Sequence, residues 1–213
     1  MPQTILPSYT YSTDVARYRS TETGRFVARR DIVNLLETHV NSAERRLGEL
    51  TTAYYEGRIS PSTFQVTMRD ELRQLHSQQR ALGAGGWDRM MFNRDWAAVG
   101  GRLGGFGGDY ERMTNLTQAI ASGEVTLPQA LNRVNGYIGN SRIQFWEADR
   151  EAARQTGRTY EEARRLGSSE HCSDCVDYAA QGFQPLGILP PPGVGSICST
   201  HCRCTMERKE VTL

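Results

Sequence analysis

All five cysteines of this chain fall in its last 42 residues, at Cys172, Cys175, Cys198, Cys202 and Cys204, and the preceding 171 positions contain none. Their spacing is Cys-x2-Cys-x22-Cys-x3-Cys-x-Cys. A Cys-x2-Cys turn aims two thiolates at one ion, and a second cluster some twenty residues later completes the tetrahedron that structural zinc requires. Cys172 and Cys175 are the firm pair. Cys198 with Cys204 is the preferred second pair, Cys202 is the alternate ligand, and Cys202 with Cys204 is also sterically open. Five thiols for four positions leave one spare, and His171 and His201 are available as substitutes.

Other uses of these thiols fit less well. The first twenty residues contain no apolar stretch suited to a signal peptide or a spanning helix. A chain folding in a reducing compartment is expected to use cysteine as ligand or free thiol, and an odd count points the same way. Read as a redox dithiol, Cys172-Ser173-Asp174-Cys175 lacks the βαβ context such sites need. A cysteine protease built on Cys172 with His201 or His171 and Asp177 has no local nucleophile signature.

Between the cysteine clusters, Gly182, Pro185, Gly187, Pro190, Pro191, Pro192 and Gly193 exclude a helix. Such a ribbon has little core of its own, so a bound ion would supply much of its folding free energy, on the order of 10 kcal/mol or more. Its plainer reading is a metal-pinned turn, and its functional reading is an exposed docking surface with a stiff polyproline face.

Ahead of this tail the pattern is helical. Ile32, Leu35, Leu36, Val40, Ala43, Leu47, Leu50 and Tyr54 recur at three- and four-residue steps, and Phe64, Met68, Leu72, Leu75 and Leu82 form a second stripe. Gly57 and the Ser60-Pro61 cap separate them, which predicts an antiparallel α-hairpin. A helix from Tyr110 to Ser122 and a longer one opened by the Thr126–Gln129 capping box predict a second hairpin. Thr159 and Glu162 read as another capping box, predicting a short helix to Leu166. The stretch at 83–108, with Trp87, Phe92, Trp96 and Phe106 among glycines, reads as a flexible or tightly packed loop. Its GRLGGFGG segment lacks the Gly-Lys-Ser/Thr ending of a phosphate loop. Residues 1–28 are an extension with a short hairpin expected over Tyr18 to Val27. The fold class is therefore mainly α: residues 29–166 as a body of helical hairpins and 167–213 as a small cysteine-rich zinc module. His39 and His76, one in each helix of the first hairpin, read as boundary or surface residues.

The Cys-x2-Cys, the Leu189-Pro190-Pro191-Pro192-Gly193 run and the closing Cys202-Arg203-Cys204, with Cys198, resemble the tail of the phage head morphogenesis family, the Mu F-like minor head proteins. The likeness covers about a fifth of the chain, and His201 departs from the asparagine common there. It implies a virion structural or head-assembly protein, made in the host cytoplasm, that associates with portal, major capsid or neck proteins and carries a metal in its tail.

Charge narrows the alternatives. The 25 basic and 24 acidic residues leave a formal +1, which argues against a nucleic-acid binder driven by bulk positive charge. No HExxH helix, G-x-S-x-G elbow or paired glycosidase-like carboxylates stand out, so catalysis lacks a candidate site and no catalytic or small-cofactor residues are assigned. Three readings follow from the residues: a non-enzymatic assembly protein, alone or as a homo-oligomer; a zinc- or cysteine-dependent hydrolase or nuclease; and, least favoured, a sequence-specific nucleic-acid binder using a zinc finger. No membrane association is expected.

Overall fold

The computed structural model describes residues 9–167 and 170–211, and the chain is mainly α-helical. Helix α1 (Arg29–Tyr55) runs into α2 (Pro61–Ala84), where Ser60 accepts a hydrogen bond from the Thr63 amide and Pro61 occupies the first turn. Helix α4 (Asp109–Ala121) precedes α5 (Leu127–Gln155), whose start carries the capping box between Thr126 and Gln129. The expected stripes meet in one core: Val40 and Leu47 of α1, Phe64, Met68 and Leu72 of α2, Met113 and Leu116 of α4, and Val134 and Ile138 of α5 are all buried. Among the described residues, no helix is long and apolar enough to cross a membrane.

Helix α5 is the axis of the molecule. From Tyr137 to Ala153 almost every residue is buried, on all faces. A helix enclosed on every side must pair its polar residues, and it does. Arg142 reaches Glu37 of α1 with two hydrogen bonds (2.9 and 2.7 Å), and Asp149 takes two from Arg29 (2.9 and 2.5 Å). Two glycines let neighbours approach closely: a Cβ on Gly83 would collide with the Phe145 carbonyl, and one on Gly139 with the Thr200 carbonyl.

Three sequence expectations need correction. Residues 160–165 form strand β3 (Tyr160–Arg165), not a helix; β3 lies at the centre of an antiparallel sheet with β4 (Gln184–Pro185) on one side and β5 (Thr205–Glu210) on the other. Tertiary pairing overrides local propensity here: Glu162 bonds Arg150 of α5, and Arg164 turns into the sulfur cluster. The 83–108 stretch is ordered into a 3-10 turn (Trp87–Arg89), a π-helical turn (Phe92–Trp96) and α3 (Ala97–Gly104), because the buried Arg80 guanidinium holds the buried Asp95 at 2.8 Å. The N-terminal ladder pairs β1 (Tyr9–Ser12) with β2 (Arg17–Ser20), and the short hairpin expected over Tyr18 to Val27 is present beside it, the Val27 amide donating to the Tyr18 carbonyl (2.8 Å), the Ser20 amide to the Arg25 carbonyl (2.9 Å), and Arg19 bridging Phe26. His76 is fully buried rather than at the surface, because α5 covers that face of α2.

The tail folds back on the body. β5 closes the sheet on β3, and Leu189 and Met206 pack with Phe145 and Trp146. Thus the strand at 160–165, assigned from sequence to the helical body, pairs with a strand of the cysteine-rich segment.

Candidate metal centre

Cys172 caps helix α6 (Ser173–Ala180), and the first turn of that helix carries Cys175 inward, the one buried residue of the element. The proline-glycine ribbon then travels to Cys198, a 3-10 turn (Ser199–His201) reverses it, and Cys202 and Cys204 lead into β5. The ribbon has almost no ladder hydrogen bonds, so side chains supply them. Arg150 donates to the Leu189 carbonyl (2.7 Å), Arg164 to the Pro190 carbonyl (2.5 Å), and the Gly187 amide to Glu162 (3.0 Å). Pro191 and Pro192 are buried, which corrects the expectation of an exposed polyproline face; the exposed apolar residues here are Ile188 and Ile197.

The five sulfurs form one cluster. Those of Cys172, Cys175 and Cys198 lie within 4.8 Å of one another, and so do those of Cys175, Cys202 and Cys204. Cys175, common to both groups, stands 3.5 Å from Cys198 and 3.7 Å from Cys202. Four thiolates about 2.3 Å from a tetrahedral ion are about 3.8 Å apart, so these separations suit shared coordination. The structure brings all five cysteines into one cluster, but neither trio holds the preferred set whole: Cys172 and Cys198 join Cys175 in one, while Cys204 joins it with Cys202, the expected alternate, in the other. Of the substitute histidines, His171 places Nδ1 3.7 Å from the Cys204 sulfur, while the His201 ring lies against Gly136 of α5.

Electrostatics supplies a separate test of fit. Arg164 is fully buried, with Nη1 3.7 Å from the sulfurs of both Cys175 and Cys202, and its guanidinium lies over the Tyr178 ring. Its contacts among the described residues are two sulfurs, a carbonyl and that ring, with no carboxylate. A buried cation without a counter-charge is strongly unfavourable. Thiolates resolve this, and thiolates are what a metal ion requires. Within the cluster, burial raises the thiols of Cys175, to about 12, and of Cys198 and Cys204. Burial would raise Cys172 as well, but the backbone amides of Cys175 and Cys198 bring it down to about 7. Burial would raise Cys202, beside Arg164, too, but the Cys204 amide and the thiols of Cys198 and Cys175 hold it below its ordinary value. With all the ligands bound to an ion as thiolates, the burial that opposes ionisation of Cys175, Cys198 and Cys204 would be offset and the guanidinium would be fully paired.

Arg164 carried no sequence signal, since Glu161-Glu162-Ala163-Arg164-Arg165 reads as a helix surface. A second polar constellation was equally hidden. The buried His76 and Asp109 face each other at 3.6 Å, and Asn140 donates to Asp109 at 2.7 Å.

The cysteine cluster can hold a metal ion. No protein-family model, no curated protein and no solved structure matches the chain.

Proposed function

We propose that this chain is a structural component of phage head assembly, a minor head or connector-associated protein whose zinc-held tail docks on portal or capsid. It is made in the host cytoplasm and carried into the virion, and it acts by binding rather than by turnover. The observation that carries the reading is the five-sulfur cluster at the end of a helical body, in the Cys-x2-Cys and Cys-Arg-Cys arrangement that resembles the minor head proteins. Zinc is the ion of choice because an all-thiolate donor set with tetrahedral spacing favours it over harder cations. Cys175 would hold it together with Cys172 and Cys198 or with Cys202 and Cys204, the two trios whose sulfurs lie within 4.8 Å of one another, and a cysteine of the other trio would complete the four. The ion's part is to stiffen the ribbon. Beside it, Ile188 and Ile197 stand exposed for a partner, and Phe106 projects from the glycine loop after α3.

Elemental analysis of the purified chain should give about one zinc per molecule, and co-sedimentation should place the chain with portal or capsid shells. Zinc without co-sedimentation would leave a metal-stapled protein of another role. Absence of metal would remove the basis of the docking surface.

A further inference from the structure

Lined by none of the cysteines, a cavity of about 370 Å³ lies under the N-terminal hairpin, between α1, α2, α5 and the far end of β5. That volume lies in the range of small-molecule sites, about 300 to 1,000 Å³. Its walls are apolar and aromatic, with Tyr18, Ile32, Leu82 and Phe145 among them. Its floor is charged.

Three buried or partly buried ionic groups meet there, Arg29 and Arg208 against Asp149, with the Arg150 and Glu162 pair behind them and outside the lining. Arg150 and Glu162 pair with each other at 2.5 Å. Asp149 accepts two hydrogen bonds from Arg29, leaving Arg208 a single 3.2 Å share of the same carboxylate. The remaining bonds of Arg208 go to the carbonyls of Ala16 and Asp149. One positive charge is therefore in excess in a largely enclosed apolar space. The other charged lining groups do not cancel it, since Lys209 pairs with Glu161, Glu210 pairs with Arg158, and Arg17 lies over Phe26. Tyr11 lines the same cavity, and its hydroxyl is buried without a hydrogen-bond partner. An excess guanidinium and an idle hydroxyl donor call for an acceptor that carries negative charge.

We propose that this cavity binds a small organic carboxylate with a compact aromatic or branched aliphatic body, its carboxylate held by Arg208 and Tyr11 and its body by the apolar walls. Guanidinium geometry matches a carboxylate. The site is independent of the cysteine cluster and stands whether or not that cluster holds zinc.

Titration calorimetry of the full chain with 2-naphthoate and its neutral counterpart 2-naphthamide tests the assignment. One molecule of naphthoate per chain is expected, bound at least tenfold more tightly than the amide. Arg208→Met should bring the two affinities together. Val27→Trp, which fills the cavity from its wall, should abolish both. Tyr11→Phe removes a hydroxyl with no other partner and should weaken naphthoate several-fold, so it serves if Arg208→Met fails to fold. No saturable binding of naphthoate at millimolar concentration, equal affinity for acid and amide, or binding unaffected by Val27→Trp would each overturn the proposal.

Discussion

The helical body and the sulfur-bearing tail reach order by different means. In the body, residues such as Leu47, Phe64, Met68, Leu72, Met113 and Leu116 are almost wholly removed from water. Each such side chain contributes about 1.5 to 3 kcal/mol, and the connections between helices are short, so this core sustains itself. In the tail, α6 buries only Cys175, and the ribbon contributes Leu189 with Pro191 and Pro192 before β5 adds Met206. What the tail has in place of a larger core is polar fastening: the clustered sulfurs, the Arg164 cation beside them and carbonyls tied by guanidinium groups. The body should therefore tolerate losing the ion, and the tail should not. If the sulfurs hold an ion as proposed, the tail's fold should depend on protonation, oxidation and chelators in a way the body's does not.

The sharpest way to break this contrast is Cys175→Ser. Cys175 belongs to both three-sulfur groups, so the substitution removes a ligand from any tetrahedron the cluster can form. Metal should be lost, and with it the order-of-10 kcal/mol that ion binding brings to such a segment. Hydrogen exchange should show amides of β5 and the 3-10 turn at Ser199–His201 losing protection, while those of α1 and α2 keep theirs. Treatment of the unaltered chain with a strong chelator should give the same pattern. If β5 stayed as protected as α2 without metal, Leu189 and Met206 would be anchoring the tail and the contrast would fail.

The same contrast separates what sequence could convey from what it could not. The long helices were legible because apolar stripes and caps are local signals: Ser60-Pro61 and Thr126 with Gln129 start helices where their chemistry requires. The metal cluster was legible because cysteine spacing is a local signal too. β3 was not, since its residues favour a helix and only its pairing with β5 and β4, together with the Arg150 bond to Glu162 across the fold, makes it a strand. The ordering of 83–108 by Arg80, and the meeting of Arg29, Asp149 and Arg208 under the hairpin, join groups 15 to 120 residues apart. Such pairings leave no trace in periodicity.

A smaller effect tests whether the body is as uniform as its apolar core suggests. His76 and Asp109 are buried together, with the Tyr137 carbonyl, Asn140, Arg102 and Arg112 as their surroundings. Burial lowers His76 to about 4 and raises Asp109 to about 6. Between pH 4 and 6.5 the folded state holds fewer protons on His76 than the unfolded chain, so this group's contribution falls as pH falls. Over nearly the same window the folded state holds more protons on Asp109, so that contribution falls as pH rises. Each amounts to about 3 kcal/mol, and together they nearly cancel. The unaltered chain should then show little pH dependence from this pair. Asp109→Asn should lose up to about 3 kcal/mol of stability between pH 6.5 and 4, and His76→Gln a similar amount between pH 4 and 6. Denaturant titrations across that range check the opposite slopes; parallel slopes would show that the two groups are not coupled by a shared burial.

The smallest expected effect bears on the seam between the two regions. Arg203, set between two cysteines, points away from the sulfurs and bonds Glu44 at 2.8 Å and Glu37 at 3.3 Å on α1. All three side chains are partly exposed, which limits the pairs to about 0.5 to 1 kcal/mol. Arg203→Ala leaves no orphaned charge at Glu37, because Arg142 keeps its two bonds there. The substitution should raise exchange at β5 and speed metal transfer to a chelator by a few-fold, without altering metal stoichiometry. About 0.5 M salt should mimic much of that change in the unaltered chain, since exposed pairs are screened. A loss of several kcal/mol would mean that α1 grips the tail as firmly as the ion does; a small, salt-sensitive one leaves the sulfurs as the tail's main fastening and the arginine as the guide that aligns it on the helix.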